Sequence, residues 1–191
     1  PPLFPLIRAE FGVSYAVLGT LVGVFYAASG ITQFASGFAV DRFGARRILL
    51  AGLALVAAGA ILTGLAPSFP WLFVAAAVGG LGNSVFHPAD YTILNQRVSA
   101  ARVAYGFSVH GISGNIGWAL APLFMTYVAT HYDWRVALQC AAVLPFGVLL
   151  ILFLNRHAIR PEPVKQAAPG QAGGGEGTLD FLRLPAVWMC F

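Results

Sequence analysis

Charge is what this sequence has least of. Only 9% of its 191 residues are Asp, Glu, Lys or Arg, whereas 58% are hydrophobic. A soluble domain carries roughly 25% charged residues, so this chain cannot cover a water-facing surface with polar groups. Its mean hydropathy of +0.76 agrees. Acid is the scarcer sign, with 7 Asp and Glu against 11 Lys and Arg. The arginines sit in short loops and form no basic face, which excludes nucleic acid as a partner. Cysteine is also sparse. Cys140 and Cys190 both lie in apolar runs, which excludes a disulfide framework or a metal site and leaves small buried residues. No metal-ligand spacing is met. The glycine cluster Gly79-Gly80-Leu81-Gly82 lacks the lysine of a phosphate loop. No cofactor is therefore expected. A starting methionine is missing too, and the chain closes at Trp188-Met189-Cys190-Phe191 inside what reads as a new apolar run. Both ends read as truncations.

Long apolar runs are what is present. Residues 1–14, with Pro1, Pro2, Pro5, Arg8 and Glu10, read as a loop. Five spans follow, from about Tyr15 to Val40, Ile48 to Leu65, Trp71 to Gln96, Val103 to Ala129 and Trp134 to Leu154. Each is long enough for a tilted bilayer crossing. Short-loop charge orients them. Arg42, Arg46, Arg47, Arg97, Arg102, Arg156, Arg160, Lys165 and Arg183 fall on one side, and Arg8 and Arg135 on the other. The first group marks the cytoplasm and puts residues 1–14 outside. An outside start without a signal peptide implies a missing upstream helix, which would complete a six-helix unit. Residues 155–184 carry Pro161, Pro163, Pro169 and a glycine run, and read as a flexible cytoplasmic linker. Residues 185–191 read as the start of a second transmembrane half. The fold class expected is an all-α membrane bundle, with residues 1–154 forming the N-terminal half of a two-half transporter. No internal repeat is visible.

Polar residues inside the spans are few and patterned. Ala51 to Leu62 and Ala141 to Leu154 have none, so those helices can face lipid. Tyr26, Ser29, Gln33 and Gly37 share one helical face. Asn83, His87, Asp90 and Leu94 share another. His110, Gly114, Gly117 and Ala121 share a third, beside Gly111, Asn115, Trp118 and Pro122. Buried polar groups are costly in hydrocarbon, so these faces should look into protein or a watery cavity. Asp90 is the one acid within a span. A charged acid at mid-bilayer costs at least about 2.5–3.5 kcal/mol on the insertion scale. Counting outward from the turn at Ser99-Ala100-Ala101 puts Asp90 and His110 at equal depth, with His87 one turn deeper. One carboxylate and two imidazoles can carry protons near neutral pH. A structural pairing of Asp90 with Arg42, Arg46 or Arg97 is the competing reading. His87-Pro88 also fits a plain kink. Gly19 with Gly23, and Gly117 with Ala121, form small-residue pairs of the kind that let helices approach.

The stretch from Gly37 to Leu49 resembles the signature loop between the second and third helices of the major facilitator superfamily. Gly37, Asp41, Arg42, Gly44, Arg46 and Leu49 match it, while Ala39 and Ala45 depart from it. The run from Gly80 to Ala89, with its Phe-His-Pro element, looks like the fourth helix of fosmidomycin-resistance-type transporters, and Gly111 to Pro122 like the fifth. The resemblance covers roughly residues 3–155. It implies a twelve-helix fold, alternating access and proton-coupled transport of small molecules, with a proton gradient as energy source. It also implies a bacterial inner-membrane location and a monomer once the chain is full length. Three departures follow. Ala76 stands where many proton-coupled members carry arginine. Met125 and Thr126 stand where exporters carry a glycine pair. Asp90 stands where the branch often has Glu.

The resulting expectation is a secondary transporter and not an enzyme. Gly37, Asp41, Arg42, Gly44, Arg46 and Arg47 form a conformational latch. His87, Asp90 and His110 serve coupling or substrate contact, and Tyr26, Gln33, Asn83 and Asn115 line a cavity. Rival readings are a membrane hydrolase built on His87 and Asp90 with Ser84 nearby, and a non-transporting scaffold or sensor.

Overall fold

A computed structural model describes residues 2–99 and 101–155. The 155–184 linker, apart from Asn155, and the 185–191 run lie outside the described residues. Seven helices follow one another: α1 (Phe4–Phe11), α2 (Tyr15–Phe43), α3 (Ala45–Gly64), α4 (Phe69–Asn83), α5 (Phe86–Arg97), α6 (Val103–His131) and α7 (Trp134–Leu154). Among the described residues there is no strand. The connections are short, and α3 packs against both α4 and α7, while α5 continues the span begun by α4.

Local chemistry explains the boundaries. Gly12 closes α1 at φ 63° with its N–H on the Arg8 carbonyl. The Ser14 hydroxyl accepts from the Val17 amide and starts α2. Asp133 does the same for α7, accepting from the Arg135 amide at 2.6 Å. Within the spans, hydroxyls bond back to their own helix. Thr63 donates to the Gly59 carbonyl and Thr92 to the Pro88 carbonyl, both at 2.7 Å. That satisfies them where lipid offers no partner.

Three expectations from the sequence change. Residues 1–14 contain α1 and are not a loop. Pro5 occupies its first turn, where a proline removes no needed donor, and Leu3 and Ile7 are buried. The 41–47 stretch is scarcely a loop either. Helix α2 continues to Phe43 and α3 starts at Ala45, so Gly44 alone, at φ 87°, makes the junction. The third span is two helices, since the chain turns at Ser84 and Val85. Pro88 has no N–H for the Ser84 carbonyl, and helical bonding resumes with the Ala89 amide on the Val85 carbonyl at 3.0 Å. Among the described residues α2, α3, α4 with α5, and α7 are long and apolar enough by composition to cross a membrane, and α6, with 29 residues, has the length of the remaining expected span.

Glycine sets the closest packing. A methyl group built on Gly59 would lie 2.8 Å from Gly79 Cα, and one on Gly82 would lie 2.6 Å from the Val56 nitrogen. One on Gly80 would strike the Phe25 carbonyl. Helix α4 is thereby wedged between α2 and α3. Gly19, Gly23 and Gly117 face no neighbour within 4 Å, so the small-residue pairs anticipated there make no contact among the described residues. Helix α3, expected to face lipid, buries Gly52, Leu53, Ala57, Gly59 and Gly64. Two apolar clusters lie toward opposite ends of α2. One gathers Leu3, Ile7, Leu18, Leu21, Ala66, Leu72, Val128, Ala129, Trp134 and Ala137. The other joins Val40, Ala45 and Ala89. Leu18 and Val40 are separated by roughly 33 Å of helix.

Candidate functional site

Helices α5 and α6 bring Asp90 to a histidine. Asp90 Oδ2 lies 3.8 Å from His110 Nε2, and their side chains are 21% and 39% exposed. That distance suits an ion pair or a bridging hydroxyl better than a direct hydrogen bond. Tyr91 completes the cluster. Its ring centroid is 5.5 Å from that of His87, 6.3 Å from that of His110 and 5.1 Å from that of Phe107. His87, one turn from Asp90 and Tyr91, is exposed. The arrangement offers one carboxylate, two imidazoles and a phenol along one seam. Tyr91 was not singled out from sequence, although its i+4 spacing from His87 carried the signal.

Ala89, fully buried beside Asp90, packs with Val40 and Ala45. These two flank the Asp41–Gly44 junction. The acid-bearing helix is therefore seated directly on the signature turn. Asp41, Arg42 and Arg47 are exposed, Arg46 and Gly44 half-buried, and the Arg42 guanidinium stacks 5.6 Å from the Phe43 ring centre. Gly37, half-buried on α2, has open space at its Cβ position.

A buried polar ladder joins α2 to α4. The Asn83 amide donates to Ser29 Oγ at 2.9 Å, and Ser36 and Ser84 share a hydroxyl contact at 3.1 Å. Ser84 also donates to the Leu81 carbonyl at 2.7 Å. Asn83 is thus engaged in holding the bundle. Ser84 is bonded within this ladder and to its own helix, which removes the basis for a hydrolase nucleophile activated by His87.

A cavity of about 560 Å³ lies among α1, α2, α3, α4, α6 and α7. Its wall includes Leu21, Phe25, Ala76, Gly79, Trp118 and Met125, with Tyr26 and Thr63 supplying hydroxyls. Of the anticipated cavity residues, Tyr26 lines it. Gln33 is half-buried elsewhere on α2, Asn83 is in the ladder, and Asn115 is exposed on α6. Ala76, where arginine was the alternative, leaves this wall uncharged. Among the described residues no group of three or more His, Cys, Asp or Glu could hold a metal ion.

A third feature had no sequence forecast. Glu10 Oε2 accepts from the Arg135 guanidinium at 2.6 Å and from Trp134 Nε1 at 2.7 Å. The other guanidinium arm donates to the Ala66 carbonyl at 3.0 Å. The Arg135 hydrogen bond holds the Glu10 carboxyl below the usual carboxylate range. Glu10 and Arg135 are 125 positions apart, and no local pattern links them.

Comparison with known proteins agrees with this architecture. The chain is 30% identical over 160 residues to the fosmidomycin resistance protein of Escherichia coli, covering 81% of this chain and 39% of that protein. It is 32% identical over 151 residues to a membrane sensor protein of Salmonella typhimurium, covering 78% and 34%. It is 27% identical over 161 residues to a probable 4-methylmuconolactone transporter of Cupriavidus pinatubonensis, covering 81% and 36%. The chain thus spans between 34% and 39% of the length of these relatives. Residues 1–191 match the profile of the Major Facilitator Superfamily. Helical throughout its described elements, with the signature turn at Gly44 and a broken third span, this chain belongs to the major facilitator superfamily.

Proposed function

We propose that this chain is part of a secondary transporter that moves a small molecule across a bacterial inner membrane by alternating access, driven by a proton gradient. The observation that carries the reading is the Asp90–His110 pair, 3.8 Å apart across α5 and α6. An acid within a span is costly unless it has a function or a partner. Beside an imidazole at 3.8 Å, the carboxylate has a partner to which it can pass a proton. His87 and Tyr91 extend the same seam. Relatives named as a resistance protein and as a probable transporter support solute movement. The chemistry needs no cofactor beyond the gradient.

Proton state reaches the rest of the protein through α5. Ala89 seats this helix on Val40 and Ala45, at the Asp41–Gly44 turn. A change at Asp90 that shifts α5 disturbs that seat, and the exposed Asp41, Arg42 and Arg47 then change partners. The apolar cavity suits a substrate with an apolar body, with Tyr26 and Thr63 as its polar contacts. The complete protein is a monomer in this reading, and its 155–184 linker is cytoplasmic.

The test is reconstitution of the full-length protein in liposomes under an imposed pH gradient, with internal pH recorded during addition of small organic anions and drugs. Solute-dependent proton movement that disappears in Asp90→Asn is the expected result. Solute movement with no proton movement refutes the coupling. Absence of any solute movement favours a non-transporting sensor.

A further inference from the structure

Nothing in the proposed coupling explains how His110 is kept facing Asp90. At 3.8 Å the two are beyond direct hydrogen-bond reach. Among the described residues no hydrogen bond holds the His110 ring, and Ser113 donates to the His110 backbone carbonyl instead. The face an imidazole presents is ordinarily set by a hydrogen bond from its other nitrogen. Here packing must set it.

One aromatic ring supplies that packing. Phe107 and His110 lie one turn apart on α6. The Tyr91 ring of α5 meets both edge-on, at 5.1 Å and 83° to the first and at 6.3 Å and 79° to the second. Both distances lie in the range where aromatic pairs attract. His87, one turn earlier on α5, meets the same ring at 5.5 Å. Tyr91 therefore contacts both imidazoles, and His110 is the one paired with Asp90. Its hydroxyl takes part in no hydrogen bond among the described residues, so the ring makes the contact. Elsewhere on this seam, a methyl group built on Gly106 would lie 3.4 Å from Val98 and 3.5 Å from Leu94. That contact fixes the separation of the helices but not the direction of a ring.

We infer that Tyr91 is a positioning residue, whose ring, braced by Phe107, orients His110 toward Asp90. The inference rests on the transporter reading for its purpose, but the orientation can be tested without transport. From α5, Asp90, Tyr91 and His87 are the titratable groups around His110, and Arg97 lies two turns from Asp90, roughly 10 Å along the axis. On α6, Arg102 and Tyr105 precede His110 by roughly 12 Å and roughly 8 Å. Helix α7 also packs on α6, but its Arg135 is bound to Glu10 and its Cys140 packs in the cluster of Leu3 and Trp134. Helices α2 and α3, which pack on α5, bring Asp41, Arg42, Arg46 and Arg47 at the signature turn. These groups are common to every variant below.

The experiment uses the full-length protein with isotopically labelled histidine in lipid nanodiscs, and the same protein in liposomes. Magnetic resonance assigns the His110 ring signal by its loss in His110→Gln. Wild type and Tyr91→Phe should each give one His110 signal. Tyr91→Leu should split or broaden it, because the imidazole then samples several orientations. An interacting carboxylate and imidazole hold the two limbs of a bell-shaped pH profile apart, so an imidazole turned away lets the limbs draw together. In liposomes the pH profile of solute-driven proton movement should narrow by about one pH unit in Tyr91→Leu, the scale at which two groups count as coupled, and keep its width in Tyr91→Phe. Phe107→Leu removes the brace and should show both effects at smaller size. It carries the test where Tyr91→Leu does not fold. A single sharp His110 signal in the leucine variants overturns the inference. So does an unaltered profile, or one narrowed as much by Tyr91→Phe. A split signal in a protein whose wild type moves no solute keeps the positioning and refutes the transporter reading. Solute-driven proton movement with a single sharp signal in the leucine variants does the reverse.

Discussion

At the scale of single residues, two carboxylates have opposite settings. Asp90 is three-quarters enclosed in a span beside His110, with 21% of its side chain exposed. Replacement by Asn keeps the shape and removes the titration. Solute movement by Asp90→Asn should then lose its dependence on the pH gradient, falling by roughly tenfold or more in gradient-driven uptake, while counterflow of labelled solute continues. His110→Gln should weaken the dependence less, because the carboxylate remains. Glu10 sits at the surface end with its pKa lowered by the Arg135 hydrogen bond. A group whose folded pKa is depressed stabilises above its unfolded pKa, and loses that contribution as pH falls through the folded value. Thermal unfolding in detergent should therefore show a constant difference between wild type and Glu10→Gln from neutral pH down to the ordinary carboxylate range. Below that range the difference should close.

Among elements, the contrast is between α4 and α5. Helix α4 buries Leu72, Ala75, Gly79, Gly80 and Gly82, whereas α5 buries Ala89 alone. The first is locked by backbone-to-backbone contact at glycines, and the second rests on Ala89 with the partly buried Ile93 beside it. Gly82→Val would place carbon against the Val56 nitrogen and the Gly52 carbonyl. Overpacking of this kind costs about 1–3 kcal/mol, measurable as a lower melting temperature in detergent. Ala89→Leu should act differently. It displaces α5 from Val40 and Ala45, so solute movement should fall while the melting temperature drops less than for Gly82→Val. Equal loss of stability in both variants would count against α5 as the movable half. The same contrast shows what was legible. The Phe-His-Pro element announced a disturbance in the third span. Whether it kinks or breaks the helix depends on Ser84, whose hydroxyl takes the Leu81 carbonyl and Ser36 once α2 and α4 meet.

For the whole molecule, the question is how two ends of one bundle are managed. The signature turn and Asp90 lie at one end, and the Glu10–Arg135 pair at the other. The apolar cavity belongs with the Glu10 end, since it shares Leu3, Ile7, Leu21 and Leu72 with the buried cluster there. Ala76 lies in its wall. Ala76→Arg would bring a cation into an apolar lining, where burial without a partner is costly. Movement of an apolar solute should fall sharply, with binding affected before folding because the cavity gives the side chain some room. Unaltered affinity in a ligand-binding titration would remove Ala76 from the substrate path.

Sequence by itself determined the membrane class, the long helices and the family. Charge of 9% cannot dress a soluble surface, and the Gly37–Leu49 signature keeps its residues close together in the chain. It also put Asp90 and His110 at one depth, because both could be counted from the same short turn. It misread residues 1–14 as loop, since a proline in a helix's first turn carries the same letter as one in a coil. The tertiary structure decided which glycines are packing surfaces. Gly59 and Gly79 meet, whereas Gly19 and Gly23 have no neighbour within 4 Å among the described residues, and spacing within one helix does not record which face has a neighbour. It also decided the Glu10–Arg135 pair. Glu10 and Arg135 read as two stray charges until α1 folds onto the start of α7, because an ion pair depends on distance in space and not along the chain.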